Sequence, residues 1–180
     1  MRMFGFLRRN PHERTGYVLY GAAVAAARDP FLYETVGVPD TLDGRFDLVG
    51  LHAFLVIRRL QAEPKPGPDL AQAVFDAMFN DMDVNLREMG VGDLSVGKKV
   101  KVMWEAFHGR STAYAAALDA GDTAALQAAL ARNVWRGGAA GDGPALLAAV
   151  AVAQDAHLAR QTLIAGEVAF LPAEAAAALP

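Results

Sequence analysis

From Arg14 to Ala165 apolar residues return every three or four positions, and nowhere in the chain is there a sustained run of alternating apolar and polar residues. A period near 3.6 is that of a helix with one buried face, whereas half-buried strands need a period of two. The expected fold class is therefore all-α. Alanine abundance agrees, because alanine has the highest intrinsic helix propensity. The periodic segments predict helices over 14–28, 30–36, 45–62, 68–89, 95–120, 123–135 and 144–165, a single compact domain of six to seven helices spanning 1–180. A basic N-terminal segment (1–13), two loops (62–68 and 136–143) and a C-terminal tail (166–180) complete it.

Punctuation supports these limits. AEPKPGPD at 62–69 carries three prolines and a glycine, which end one helix before the next begins. GVGD at 90–93 supplies a glycine stop followed by Asp93 or Ser95 as an N-cap, and Gly121 with Asp122 repeats the device. RGGAAGDGP at 136–144 reads as a surface loop, and the alanine-rich tail as a partly frayed end. No internal repeat is present.

Composition excludes several classes of function. The chain of 180 residues has no cysteine, which rules out disulfides, thiolate-bound zinc or iron–sulfur clusters and a cysteine nucleophile. A net charge of -3 is too small to attract nucleic acid or acidic lipid through a global field, and specific DNA binding is not expected. PALLAAVAVAQDAHLA, the longest apolar stretch, is interrupted by Gln154, Asp155 and His157 short of the roughly 20 residues a membrane span requires. The apolar run near the N-terminus is too short for a signal peptide. The chain is expected to be soluble or peripheral. In MRMFGFLRR, the residues Arg2, Phe4, Phe6, Leu7, Arg8 and Arg9 have the composition of a shallow contact with an anionic membrane surface.

Residues 76–110 concentrate charge. On the 68–89 helix, Ala71, Phe75, Met78, Phe79, Met82, Leu86 and Met89 form a core stripe, while Asp76, Asn80, Asp83 and Arg87 lie opposite. Asp83 and Arg87 are placed to pair across one turn. On the next helix Val96, Val100, Met103, Phe107, Tyr114 and Leu118 face inward and Lys98, Lys101, Glu105, His108 and Thr112 outward, with Trp104 at the seam. The short connection predicts an antiparallel hairpin with an acidic and a basic stripe side by side. A solvated face is the ordinary account of such stripes. The functional account is a docking surface, since Trp104 and Arg110 are of the residue types that dominate interface energetics.

Catalytic and metal chemistry finds little support. Glu105 and His108 form the Glu-x-x-His pair of di-iron bundles, but the second pair is missing. Asp81 and Asp83 resemble the start of a calcium loop that lacks its glycine and terminal glutamate, so capping or solvation accounts for them better. His52 lies in an apolar helix and is expected to be a core histidine bonded to a local partner. No phosphate loop, nucleophile elbow or H-E-x-x-H is present. No metal site and no cofactor are expected.

Residues 20–60 (YGAAVAAARDPFLYETVGVPDTLDGRFDLVGLHAFLVIRRL) and 75–110 (FDAMFNDMDVNLREMGVGDLSVGKKVKVMWEAFHGR) resemble the ubiquinol-cytochrome c chaperone family, and AYAAALDAGDTAALQAALARNVWRG continues the likeness more loosely. The resemblance implies a helical, non-enzymatic assembly factor for the cytochrome bc1 complex. It implies cytochrome b, nascent or newly inserted, and bc1 subunits as partners, and extends to the ribosome exit region and a small co-chaperone. It implies work at the cytoplasmic face of a bacterial inner membrane. Lys98, Lys99, Lys101 and Arg110 offer a modest footprint for ribosomal RNA. Two alternatives remain: a small metal- or cofactor-dependent helical enzyme using Glu105, His108 and His52, and a membrane-surface lipid-binding module led by residues 1–9.

Overall fold

A computed structural model describes residues 11–179. The segment 1–10, with the expected membrane contacts Arg2, Phe4, Phe6, Leu7, Arg8 and Arg9, lies outside the described residues. Among the described residues the eight α-helices are α1 (Glu13–Ala27), α2 (Pro30–Glu34), α3 (Leu42–Gln61), α4 (Gly67–Glu88), α5 (Asp93–Ala120), α6 (Thr123–Leu130), α7 (Gly143–Leu158) and α8 (Ala173–Ala177). No strand occurs among the described residues.

α1, α3 and α4 pack on one another as the centre of the domain, and α5, α6, α7 and α8 follow around it, each against its predecessor. α3 is the central element: Leu48, Leu51, Ala53, Phe54, Leu55, Val56 and Leu60 are all buried. α1 approaches α4 closely because it presents Gly16 there; a Cβ on Gly16 would come within 2.6 Å of the Ala73 backbone carbonyl carbon. The small residues of α1 thus set the distance at which the larger side chains of α3 and α4 meet.

Local chemistry fixes most boundaries. Thr41 caps α3, accepting from the Gly44 amide at 3.1 Å, so that helix starts three residues before the expected Arg45. Asp122 caps α6 from the Ala125 amide at 2.8 Å, and Gly121 ends α5 in the left-handed region at φ 64°. Between α4 and α5 the cap is Gly92; Asp93 is the first helical residue, with no side-chain cap. The hairpin itself forms as expected.

The C-terminal third departs from expectation. The predicted 144–165 helix stops at Leu158, and only a 3-10 turn at Leu163–Ala165 follows. Buried Glu63 accounts for the stop: its carboxylate accepts from the Leu163 amide at 2.7 Å and the Ile164 amide at 3.3 Å, and it pairs with Arg59 at 3.3 Å. Arg59 donates to the Gln161 carbonyl at 2.9 and 2.7 Å. The tail is not frayed. Gln154 clamps Leu171 through both its amide and its carbonyl, and Asp29 accepts from the Ala173 amide at 2.9 Å. α8 then buries Ala173 and Ala176. Likewise the 123–135 helix ends its α-helical part at Leu130, and Ala131–Trp135 widen into a π turn. That turn carries Trp135 inward, where Nε1 donates to the Gly37 carbonyl at 3.1 Å.

Candidate functional site

An open groove of about 1290 Å³ runs between the C-terminal half of α1, α2, the start of α3, the end of α4 and the first two-thirds of α5. Its floor is apolar. Tyr20, Met82 and Leu86 are buried there, and Val24, Phe46, Val49, Met103 and Ala106 are half-buried beside them. Leu42, Met89 and Val102 stand on its lip at 60%, 50% and 63% exposure. Single exposed apolar residues are ordinary, but three around one apolar depression form a surface that gains from being covered.

The α5 face that lines the groove follows the helical repeat: Lys98, Val102, Ala106 and Arg110 at steps of four, with Lys99 and Met103 alongside. At the Arg110 end, Asp47 is buried and ion-paired to Arg110; Arg136 Nη2 lies 2.9 Å from its second oxygen, off the line of a hydrogen bond. Burial pushes the Asp47 carboxyl above its usual value, and the two guanidinium groups oppose that shift. Arg136 holds a left-handed backbone, φ 50°, to reach this position. Midway along, the Tyr20 hydroxyl donates to Asp81 at 2.7 Å. Burial first, and that bond second, raise the Tyr20 phenol far above its ordinary value, so it is a permanent donor at neutral pH. Asp81 is therefore engaged by Tyr20, not by capping or solvent.

The hairpin residues singled out in the sequence do not share one surface. Lys98 and Arg110 line the groove. Lys101, Trp104, Glu105 and His108 do not line the groove and are all exposed: Lys101 and Glu105, 3.8 Å apart and three and seven residues after Lys98, flank its edge, and Trp104 stacks on His108 farther round the helix, with ring centroids 5.3 Å apart and planes 5° from parallel. On α4, Asp76 accepts from Gln72 at 2.7 Å and Asn80 donates to Tyr17 at 3.4 Å. Arg87 bridges Asp83 at 2.6 Å and Asp93, tying the hairpin's two helices together at their turn. The core stripes are placed as expected, except that Met89 is half-exposed on the groove lip. Phe107 packs its ring against Phe75 and Phe79 at 5.8 and 6.1 Å.

Sequence reasoning missed Tyr20, Phe46, Asp47, Met82, Met103 and Arg136 as groove residues. The one local signal was Val102, an apolar residue among charges. Among the described residues the groove lining contains no histidine, cysteine, serine or threonine; its polar groups are carboxylates, lysines, arginines, one asparagine and two tyrosine hydroxyls. His52 is not brought to Glu105 and His108. It is buried in α3, where its Nδ1 bonds the Leu48 carbonyl at 2.8 Å and its ring meets Phe170 edge-on, and burial lowers its pKa. Among the described residues no three histidine or acidic side chains cluster as a metal site.

The crystal structure of the Cbp3 homolog from Brucella abortus superposes with a TM-score of 0.81 at 36% identity, covering 91% of this chain and 92% of that one. The ubiquinol-cytochrome-c reductase complex assembly factor 1 of Xenopus laevis is 26% identical over 102 residues, 57% of this chain. This chain spans about half the length of that curated relative, 50% of it being matched. Residues 34–169, from the end of α2 to the segment before α8, match the family described as Ubiquinol-cytochrome C chaperone. The chain belongs to the ubiquinol-cytochrome c chaperone family.

Proposed function

We propose that the protein is an assembly factor for the cytochrome bc1 complex that holds cytochrome b, nascent or newly inserted, on the groove side of the α4–α5 hairpin. The observation that carries this reading is the groove itself, an apolar floor with Leu42, Met89 and Val102 exposed around it and charged side chains on its rim. A membrane protein under assembly exposes apolar segments, and covering each such side chain is worth about 1.5–3 kcal/mol when burial is complete. The action is binding without catalysis. No helix among the described residues is long and apolar enough to cross a membrane. The proposed place of action is the cytoplasmic face of a bacterial inner membrane, where the protein meets its client through surface contacts.

The outer face of α5 supports a second contact. Trp104, 44% exposed and stacked on His108, has the character of an interface anchor that faces away from the groove. The ribosome exit region or a small co-chaperone is its proposed partner, with Asp76, Asn80, Asp83 and Arg87 on the neighbouring helix.

The test is a crosslinked affinity purification of the tagged protein from its native cells under growth that demands the bc1 complex. Cytochrome b should be recovered with the wild type and lost with Val102→Asp, a change at an exposed position. A preparation free of cytochrome b, bc1 subunits and ribosomal proteins would sink the reading.

A further inference from the structure

We infer that the groove takes a single helical segment of about three turns, lying antiparallel to α5, apolar along its length and acidic at the end that meets Lys98 and Lys99. The inference rests on the reading that the groove is the client site, and adds the shape, direction and charge of what it accepts.

Length and width come first. From Lys98 to Arg110 the lining face of α5 advances twelve residues, about 18 Å of helix. A volume of about 1290 Å³ spread along that length gives a trough roughly 10 Å wide, the width of one helix with its side chains. It also exceeds the range of about 300–1,000 Å³ usual for small-molecule pockets. Helix-in-groove recognition requires a trough of this kind with apolar anchors along it.

Charge sets the direction. At the hairpin end Lys98 and Lys99 are exposed and, among the described residues, have no ion pair within 4 Å. At the far end the cations are engaged: Arg110 and Arg136 on Asp47, and Arg45 on Asp40. Asp43 is held only at 4.0 Å, by Arg136. Of the other charges on the lining, Arg28 and Glu34 are of opposite sign and Asp81 lies midway on Tyr20, so the hairpin end carries two unpaired lysines and the far end sets three arginines against three aspartates. A helix has unpaired carbonyls and partial negative charge at its C-terminus, and unpaired amides at its N-terminus. Its C-terminus therefore belongs at Lys98 and Lys99 and its N-terminus near Asp43. A lipid has the right bulk but the wrong ends, because its acyl chains would lie against the charged groups around Asp47 and desolvate them with nothing in return.

The probe is a fluorescein-labelled peptide of about fourteen residues, alanine and leucine with two glutamates at the C-terminal end, compared with the same peptide carrying two lysines there. Both are titrated with the full chain by fluorescence anisotropy. The acidic peptide should bind about tenfold tighter, a difference that two ion pairs supply. Lys98→Glu with Lys99→Glu, both exposed, should reverse the order, and Val102→Asp should weaken both peptides. Equal binding of the two peptides, or an unchanged order in the charge-reversed variant, overturns the inference while leaving the groove as client site. Absence of peptide binding alongside Lys98-dependent and Lys99-dependent binding to phosphatidylglycerol vesicles overturns it in favour of lipid. Should Val102→Asp still recover cytochrome b from cells, the groove reading itself falls.

Discussion

α3 and α5 are the domain's central helix and its longest one, and they use their residues in opposite ways. α3 buries ten of its twenty residues, including one histidine and one aspartate. α5 is 28 residues long, yet the large side chains it buries among the described residues are only Val96, Phe107 and Tyr114. From Leu51 to Val56 α3 is buried on every side, whereas α5 is anchored at a few points and leaves two faces free over its first four turns. A helix whose stability comes from its neighbours can carry side chains that contribute nothing to folding. Lys98, Lys99 and Val102 at the groove and Trp104 on the outer face are such side chains.

The same truncation on each helix breaks or sharpens this contrast. Phe54→Ala on α3, removing a ring that is 5% exposed and edge-on to Tyr114, should cost about 4–5 kcal/mol in urea unfolding. Phe107→Ala, at 8% exposure beside the half-buried Phe75 and Phe79, should cost about 3 kcal/mol. A larger loss at Phe107 would invert the comparison.

Arg110 joins the two helices through Asp47. Arg110→Ala leaves that carboxylate with Arg136 alone, and should cost about 2–3 kcal/mol at pH 7, less than a wholly orphaned buried charge. The cost has a sign with pH. Burial raises the folded-state value for Asp47 above its unfolded one, so its stabilising contribution is complete below the unfolded value and is lost as pH rises through the folded one. Removing a cation widens that window, so the variant should be closer to wild type at pH 4 than at pH 7.

His52 runs the other way. Its folded-state value lies below the ordinary 6.5, so its contribution is complete above pH 6.5 and falls as the pH drops, by at most about 1.4 kcal/mol per unit. His52→Asn should flatten the fall between pH 7 and pH 5.5 in chemical unfolding. The smallest effects on stability belong to Lys98→Glu and Lys101→Glu, each within about 0.5 kcal/mol of wild type. They should part in function: reversal at Lys98 alters what the groove captures, and reversal at Lys101, outside the groove lining, does not. Equal loss of cytochrome b from both would mean that the two faces act as one surface.

The contrast also explains what the sequence made legible. Helix phase is local, so the inner stripes of α4 and α5, the Asp83–Arg87 pair and the glycine stops could all be read from spacing. The groove draws on five helices and on Arg136, and the ion pair at its far end joins positions 47 and 110, a relation no local pattern contains. The tail failed for the same reason: its alanines look frayed until Asp29 and Gln154, far away or a helix earlier, are seen to hold Ala173 and Leu171. α3 began early because Gly44, a poor helix former, masked the Thr41 cap; the glycine is there because a Cβ would reach within 2.0 Å of the Pro39 carbonyl.

One loop is fastened at both of its margins. Trp135 is tied to Gly37, and Gly143 sits where any side chain would strike the Trp135 ring at 2.7 Å and the Val36 carbonyl at 2.4 Å. Within the intervening stretch, 137–142, Ala140 packs against the core and the remaining positions are exposed. Doubling the length of a flexible loop costs only about 0.6 kcal/mol in closure entropy. This is the place where a relative can gain or lose residues, or an experimenter can splice in a reporter, with the two anchoring contacts keeping the change from being felt on either side.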